Sequence, residues 1–384
     1  MCNVLENLFW CVFGIVFEYL LITRWIPFFR SSTKAIEIRK KKKLYYSDNT
    51  ADHMRTYYGN SLYNCKIGTT SKQIPYIVMP EWATLQIDAY TNKNILKPIQ
   101  TDACTYPIHK AMIKRRQKQG QRLFNGPSHF LHQVVYNNGD IYFEIGEYEY
   151  FRRISYVHDF EKEGFEWIFK GRRNKTTLRQ KYLPIPASAS LLSPNTVPIG
   201  CDVVIALLLN GKYHICIHER SEMTINYPGG IMVTPTFGLE QLNHPGIDNP
   251  LLHAYLKEYA EELYNRDEVE DISSHPSPTW FYYQYQEVEE MCQLLYQGKA
   301  KFILSGCGFD AIGGFMNLST LLVVDDVYGA EKIFYSSHGN WEARTGSVRF
   351  VPIDSNELES LLQSNKLCPA SAFAISRAIS ILNS

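Results

Sequence analysis

The 384-residue chain has no net charge, its 39 basic residues balancing 39 acidic ones. That excludes a protein whose whole surface is built to coat nucleic acid. It also lacks any close cysteine pair: the nine cysteines stand at 2, 11, 65, 104, 201, 216, 292, 307 and 368. Scattered and odd in number, they argue against a zinc cage or a disulfide scaffold and read as small buried hydrophobes in a reducing compartment. There is no internal repeat and no low-complexity tract. Gly306-x-Gly308 is not a dinucleotide fingerprint, because the third glycine and the following acidic residue are missing at the right spacing. No Ser-His-Asp or Cys-His signature stands out. Residues 1–23 contain no lysine or arginine. What is present is a chain 45% hydrophobic and 14% aromatic, with 26 Tyr. Its length suits two domains, or one large domain with an appendage, and its composition suits a sheet-rich core.

The stretch without basic residues holds the longest apolar run. Leu8 to Ile22 is apolar except for Glu18, and the character resumes at Trp25, Ile26, Phe28 and Phe29. Counted through Phe29, the segment reaches the ~20 residues that a bilayer crossing requires. Glu18 costs on the order of 2.5–3.5 kcal/mol at the centre of such a helix, which the apolar residues can offset, and Arg24 can snorkel. Arg30, Lys34 and Arg39 to Lys43 follow, so the positive-inside rule places the bulk of the chain in the cytoplasm. A cleaved signal peptide would carry its charge ahead of the run and a small-residue cleavage site after it. The expectation is a membrane-anchor helix over 1–30, spanning the lipid bilayer or lying in its interface, and a basic juxtamembrane linker over 31–60.

Residues 61–190 read as an ancillary α/β region of unknown role. Strand-like runs at 134–136 and 141–143 flank Asn137-Asn138-Gly139-Asp140, a hairpin signal. Two basic clusters, Lys114 to Arg122 and Lys170 to Lys181, read as solvated faces. A surface for phosphate, lipid headgroups or nucleic acid is the alternative, although no nucleic-acid motif accompanies them. Pro184, Pro186, Pro194 and Pro198 mark the boundary to a second unit over 191–384.

That unit opens with the apolar run Asp202–Leu209, then Asn210-Gly211, then Lys212–Glu219, the pattern of a β-hairpin. His214 and His218 read as polar positions on one strand, since no third metal ligand stands nearby. After Arg220 comes Tyr227-Pro228-Gly229-Gly230, a turn whose glycines allow close backbone approach. A helix should follow from Pro250, capped by Asn249, with Leu252, Tyr255, Leu256, Tyr259 and Leu263 as its buried stripe. Glu258, Glu261 and Glu262 fall at i, i+3 and i+4, which puts three carboxylates on one face. Their repulsion would be relieved by a divalent cation, and hard ions such as Mg²⁺ prefer oxygen ligands shared with substrate phosphates. Residues 280–298 should form a helix, 301–305 a strand, 306–310 a turn, 319–325 a buried strand and 369–382 an amphipathic helix. Asp310, Asp325 and Asp326 read as turn-capping residues, with a base or ligand role as the alternative.

Arg220, the Gly-Gly turn and the three clustered glutamates, taken in this order, resemble the Nudix superfamily. The family's box is a glycine, five residues, a glutamate, seven residues, then Arg-Glu-aliphatic-x-Glu-Glu-x-Gly-aliphatic. Gly230 would be the first glycine, and Lys257-Glu258-Tyr259-Ala260-Glu261-Glu262 the core of the motif. The resemblance implies an α+β fold with a mixed β-sheet flanked by helices. It also implies that Glu258, Glu261 and Glu262 hold Mg²⁺ or Mn²⁺ against a diphosphate, which a metal-activated water hydrolyses. Gly229, Gly230 and Arg220 would face a nucleotide-type small molecule. The match has departures. Lys257 replaces the arginine, Tyr264 stands where the family has glycine, and Gly230 and Glu258 are nearly twice as far apart as in the family pattern. Glu240 is the candidate for the isolated glutamate, and 233–249 should be a loop over the site. With its anchor, the chain also looks similar to the SMODS-associated group of bacterial conflict systems. The reading is thus a membrane-anchored hydrolase facing the cytoplasm and cleaving a nucleoside diphosphate-linked substrate. The alternative is a catalytically degenerate, nucleotide-sensing module in bacterial signalling or defence.

Overall fold

The apolar runs Ile199–Leu209 (β7) and Met316–Val324 (β12) lie side by side as parallel strands, Met316 opposite Ile199 and Val324 opposite Leu207. Both are buried along nearly their whole length, as strands covered on both faces must be. The computed structural model describes residues 26–100, 106–121, 123–137, 140–171, 177–183, 197–222, 224–267 and 277–384. In chain order its elements are α1 (Ile26–Tyr46), α2 (Asp48–Tyr58), β1 (Leu62–Ile67), β2 (Thr70–Ile77), β3 (Ile87–Asp88), β4 (Leu96–Pro98), α3 (Lys110–Lys118), β5 (Pro127–Asn137), β6 (Asp140–Glu149), α4 (Tyr150–Lys170), α5 (Thr177–Tyr182) and β7. Then come β8 (Lys212–Glu219), β9 (Ile231–Val233), β10 (Thr236–Gly238), α6 (Pro250–Glu258), α7 (Phe281–Gln284), α8 (Gln286–Tyr296), β11 (Ala300–Asp310), β12, α9 (Val327–Ser336), β13 (Arg349–Pro352), α10 (Asn356–Gln363) and α11 (Pro369–Leu382).

One mixed sheet runs β1-β2-β11-β12-β7-β8-β13, with β10 added on β7, β9 on β8 and β3 on β11. A second, small sheet runs β4-β6-β5. The architecture is therefore α+β, a mixed sheet flanked by helices. Asn210 and Gly211 both take positive φ (51° and 76°), the geometry that closes a two-residue hairpin, and Leu209 pairs with Lys212 across it. Pro369–Leu382 forms a helix over the expected span and packs across β11, β1, β12 and β7.

Three expectations change. The stretch 306–310 is not a turn but the end of β11. A Cβ on Gly306 would sit 2.7 Å from Phe373 Cζ, and one on Gly308 2.5 Å from Tyr76 Cε1, so these glycines mark close packing inside a strand.

The basic linker over 31–60 is instead α1 and α2, which bury Leu44, Tyr45, Met54 and Tyr58 in the main core. Lysines of the basic run are consumed by this docking: Lys41 bonds Glu161 and the Ile225 carbonyl, Lys42 pairs with Glu222, and Lys43 Nζ lies 4.3 Å above the Phe169 ring.

Across the boundary expected near 190, β1, β2 and β3 pair into the main sheet, and β4-β6-β5 forms the separate small one. The basic clusters are only partly solvated: Arg116 and Arg179 are fully buried. Arg179 donates to the carbonyls of Phe160, Ala311 and Ile312 and pairs with Glu163 at 3.1 Å. The expected anchor lies almost wholly outside the described residues. Among the described residues, no helix is long and apolar enough to cross a membrane. The six cysteines among them are all free thiols, five of them buried.

Candidate active site

Helix α6 starts where the sequence places it: Asn249 Oδ1 accepts from the Leu252 amide at 3.1 Å and Pro250 follows at the first position. Tyr255, Leu256, Tyr259 and Leu263 are buried, and Leu252 is half-buried. Past Glu258 the helix widens into a π-turn over Tyr259–Leu263, a form that recurs at functional sites. Glu258, Glu261 and Glu262 all line one cavity of about 470 Å³. Its other charged walls are Arg220 at the end of β8, Glu240 after β10, Glu342 ahead of β13, and Arg153 on α4. With Lys257 this gives five carboxylates against three basic groups.

The electrostatics follow from that imbalance. Lys257 Nζ lies 3.2 Å from Glu258 Oε1 and 3.5 Å from Glu261 Oε2. Burial opposes its charge, but Glu258, Glu261 and Glu240 outweigh burial and hold the lysine well above its usual pKa. Glu258 is pushed up to about 8, first by burial and then by Glu261 and Glu240, against the pull of Lys257. Glu262 is raised well above the carboxylate range by burial, with Glu342 and Glu258 adding to it. Its carboxylate accepts from Thr234 Oγ1 at 2.9 Å and from the Thr236 amide at 3.1 Å. Thr236 Oγ1 in turn donates to the buried Asp202 at 3.1 Å, whose other oxygen takes the Asn317 amide. Arg220 pairs with Glu342 at 3.0 Å.

The structure thus brings Glu258, Glu261, Glu262 and Arg220 into one cavity. It does not bring Gly229 and Gly230 there. Gly229 (φ 73°) lies against the Lys42 side chain, and Gly230 lies against Tyr46 Oη and Cys368 Sγ. Their turn returns the chain so that Arg220 N donates to the Gly230 carbonyl at 2.8 Å. Glu240 does line the cavity. The segment 233–249 is partly ordered as β10, paired with β7, and supplies cavity wall through Gly238, Glu240 and Gln241. Sequence reasoning missed Glu342 and Arg153, which sit far from the motif in the chain. It also missed Gly238, which ends β10 and is set apart only by what it faces. His218, by contrast, is buried and neutral, its pKa pushed down to about 3 by burial.

The donor chemistry suits a hard divalent cation, being carboxylate oxygen throughout. As the side chains stand, no group of three or more His, Cys, Asp or Glu among the described residues is gathered to hold a metal ion. Lys257 occupies the space between Glu258 and Glu261, and Glu262 is turned toward Thr234 and Thr236.

No protein-family model matches the chain, and no curated protein sequence does. Among solved structures it is similar to a NUDIX hydrolase from Alicyclobacillus acidocaldarius, at 15% identity over 47% of this chain and 96% of that one, with a TM-score of 0.22.

Proposed function

We propose that the chain is a membrane-anchored, Nudix-like hydrolase that cleaves a nucleoside diphosphate-linked substrate with Mg²⁺ or Mn²⁺. The observation that supports this is the cavity itself, where five carboxylates outnumber three basic groups on the helix carrying the Nudix-like motif and the loops around it. Buried like charges repel, and a bound cation would take over the relief that raised pKa values of Glu258 and Glu262 give in its absence. Glu258, Glu261 and Glu262 would hold the ion, which would replace the Lys257 ammonium as the partner of Glu258 and Glu261. When bound, the ion would supply Lewis acidity and acidify a bound water. Arg220, fixed by Glu342, would meet negative charge on the substrate.

The test is incubation of the full chain with Mg²⁺ or Mn²⁺ and a panel of nucleoside triphosphates, dinucleoside polyphosphates, nucleotide sugars, NAD and cyclic oligonucleotides. Metal-dependent cleavage by the parent and not by Glu262→Gln is the expected result. Equal activity in that variant removes the metal assignment.

A specific contact favours the second reading, a nucleotide-sensing module that has lost turnover. Lys257 bridges Glu258 and Glu261 with an internal cation, which would make a metal unnecessary for binding. Nucleotide-induced thermal stabilisation without product, unchanged by chelator, would establish it over the hydrolase.

A further inference from the structure

The three basic groups of the cavity are not equally engaged. Lys257 is held by two carboxylates, and Arg220 by Glu342 at 3.0 Å and Met232 Sδ at 3.5 Å. Arg153 comes from outside the motif-bearing unit, on α4 beside the small sheet. Its hydrogen bond here is a long one, from Nη1 to Glu240 Oε1 at 3.5 Å, and its Cζ lies 5.7 Å from the centre of the Tyr150 ring. A guanidinium carries five donors in a rigid fork, and that bond uses one.

Gly238 explains how the guanidinium reaches this position. A methyl group built on Gly238 would overlap Arg153 Nη1, Cζ and Nη2 together. Gly238 is not among the glycines with positive φ, so no backbone conformation demands glycine there. What the position supplies is space, and the guanidinium fills it at the cavity wall.

We propose that Arg153 is the phosphate-recognising residue of this cavity, and that Gly238 is the gap that admits it. A guanidinium fork matches two oxygens of a phosphoryl group. Glu240 holds the fork loosely in the absence of that group and yields it when a phosphate arrives. The substrate would then be read from two sides, with the glutamates of α6 and its π-turn on one wall and α4 on the other. This deepens the reading above and rests on it for the identity of the substrate, though not for the anion site.

The test uses the full-length chain and methylenediphosphonate, which cannot be hydrolysed, with Mn²⁺ affinity measured separately. Binding of the diphosphonate in Mn²⁺ should weaken at least ten-fold in Arg153→Ala and in Gly238→Ala, with Arg153→Lys between these and the parent. Mn²⁺ affinity and melting temperature should stay at parental values, because alanine at 238 displaces only the far end of a flexible side chain. Parental diphosphonate affinity in Arg153→Ala and Gly238→Ala overturns the assignment, as does a parent that binds no diphosphonate. A loss of Mn²⁺ affinity in Arg153→Ala matching its loss of diphosphonate also overturns it. Binding that needs no Mn²⁺ and is lost in Arg153→Ala supports Arg153 while overturning the metal-dependent reading.

Discussion

The chain buries charge in two places and balances it differently. Where α1 docks on α4, Glu161 receives Lys41 and the Tyr45 hydroxyl and lies 3.9 Å from Arg116, which also faces Glu37 at 3.6 Å. Lys41 and Arg116 meet Glu161 and Glu37 there, with the exposed Arg115 a third cation 3.6 Å from Glu37, and Arg116 and Glu161 are all but sealed from water. In the cavity beside α6, five carboxyl groups meet three basic groups, and burial with mutual repulsion raises Glu258 and Glu262 so that they hold protons there. A sealed cluster whose buried charges are paired keeps a helix in place. An open, unbalanced one is a standing demand for a ligand of opposite charge.

The contrast is sharpest under mutation. Glu161→Ala strands the buried Lys41 and leaves Arg116 with Glu37 as its carboxylate, and should cost about 3–5 kcal/mol of stability, read as a fall in the urea midpoint with protease cleavage of α1. A variant as stable as the parent would mean the cluster is no clamp. Glu262→Gln removes a carboxyl group that would ligate the metal and keeps an acceptor for Thr234 and Thr236. It should leave stability within about 1 kcal/mol while lowering turnover on the order of 100-fold. A loss of stability as large as that of Glu161→Ala would erase the distinction.

Acid should act on a third group. Burial pushes His218 and His253 down to about 3, and His129 and His158 down to about 4. For a depressed histidine the unfolded chain binds the proton first, so stability is full above about 6.5 and falls as pH drops toward the folded value. At pH 5 each contributes a loss on the order of 2 kcal/mol. Burial lifts Asp202 and Asp310 to about 6, and these act with the opposite sign between about 6 and 4. Glu258 and Glu262, raised as well, act with the same sign as these aspartates, so four histidines are opposed by four carboxyl groups and the test falls on a single histidine. His253→Asn should be less stable at pH 7 but show a flatter decline. An unchanged slope in that variant would remove His253 from the account.

Much of the main sheet was legible in the sequence because its signals are local. Asn210-Gly211 specifies its own turn, Asn249-Pro250 its own helix start, and the β7 run declares burial on both faces. The three glutamates were legible for the same reason, being neighbours on one helix. Arg153, Gly238 and Glu342 were not, since their meeting depends on how α4 and two loops close around α6. Gly229 and Gly230 misled because a glycine pair signals a turn without saying what will pack against it, and here it is α1. The basic run 39–43 misled likewise: charge reads as solvated until a partner such as Glu161 arrives from 120 positions away.

The central claim is that the unbalanced cavity is a cation site, and a Mn²⁺ titration of the full chain followed by electron paramagnetic resonance tests it most directly. The account predicts one bound ion per chain, lost in Glu262→Gln and retained in Glu161→Gln. Absence of a bound ion in the parent, or equal binding in Glu262→Gln, would contradict it.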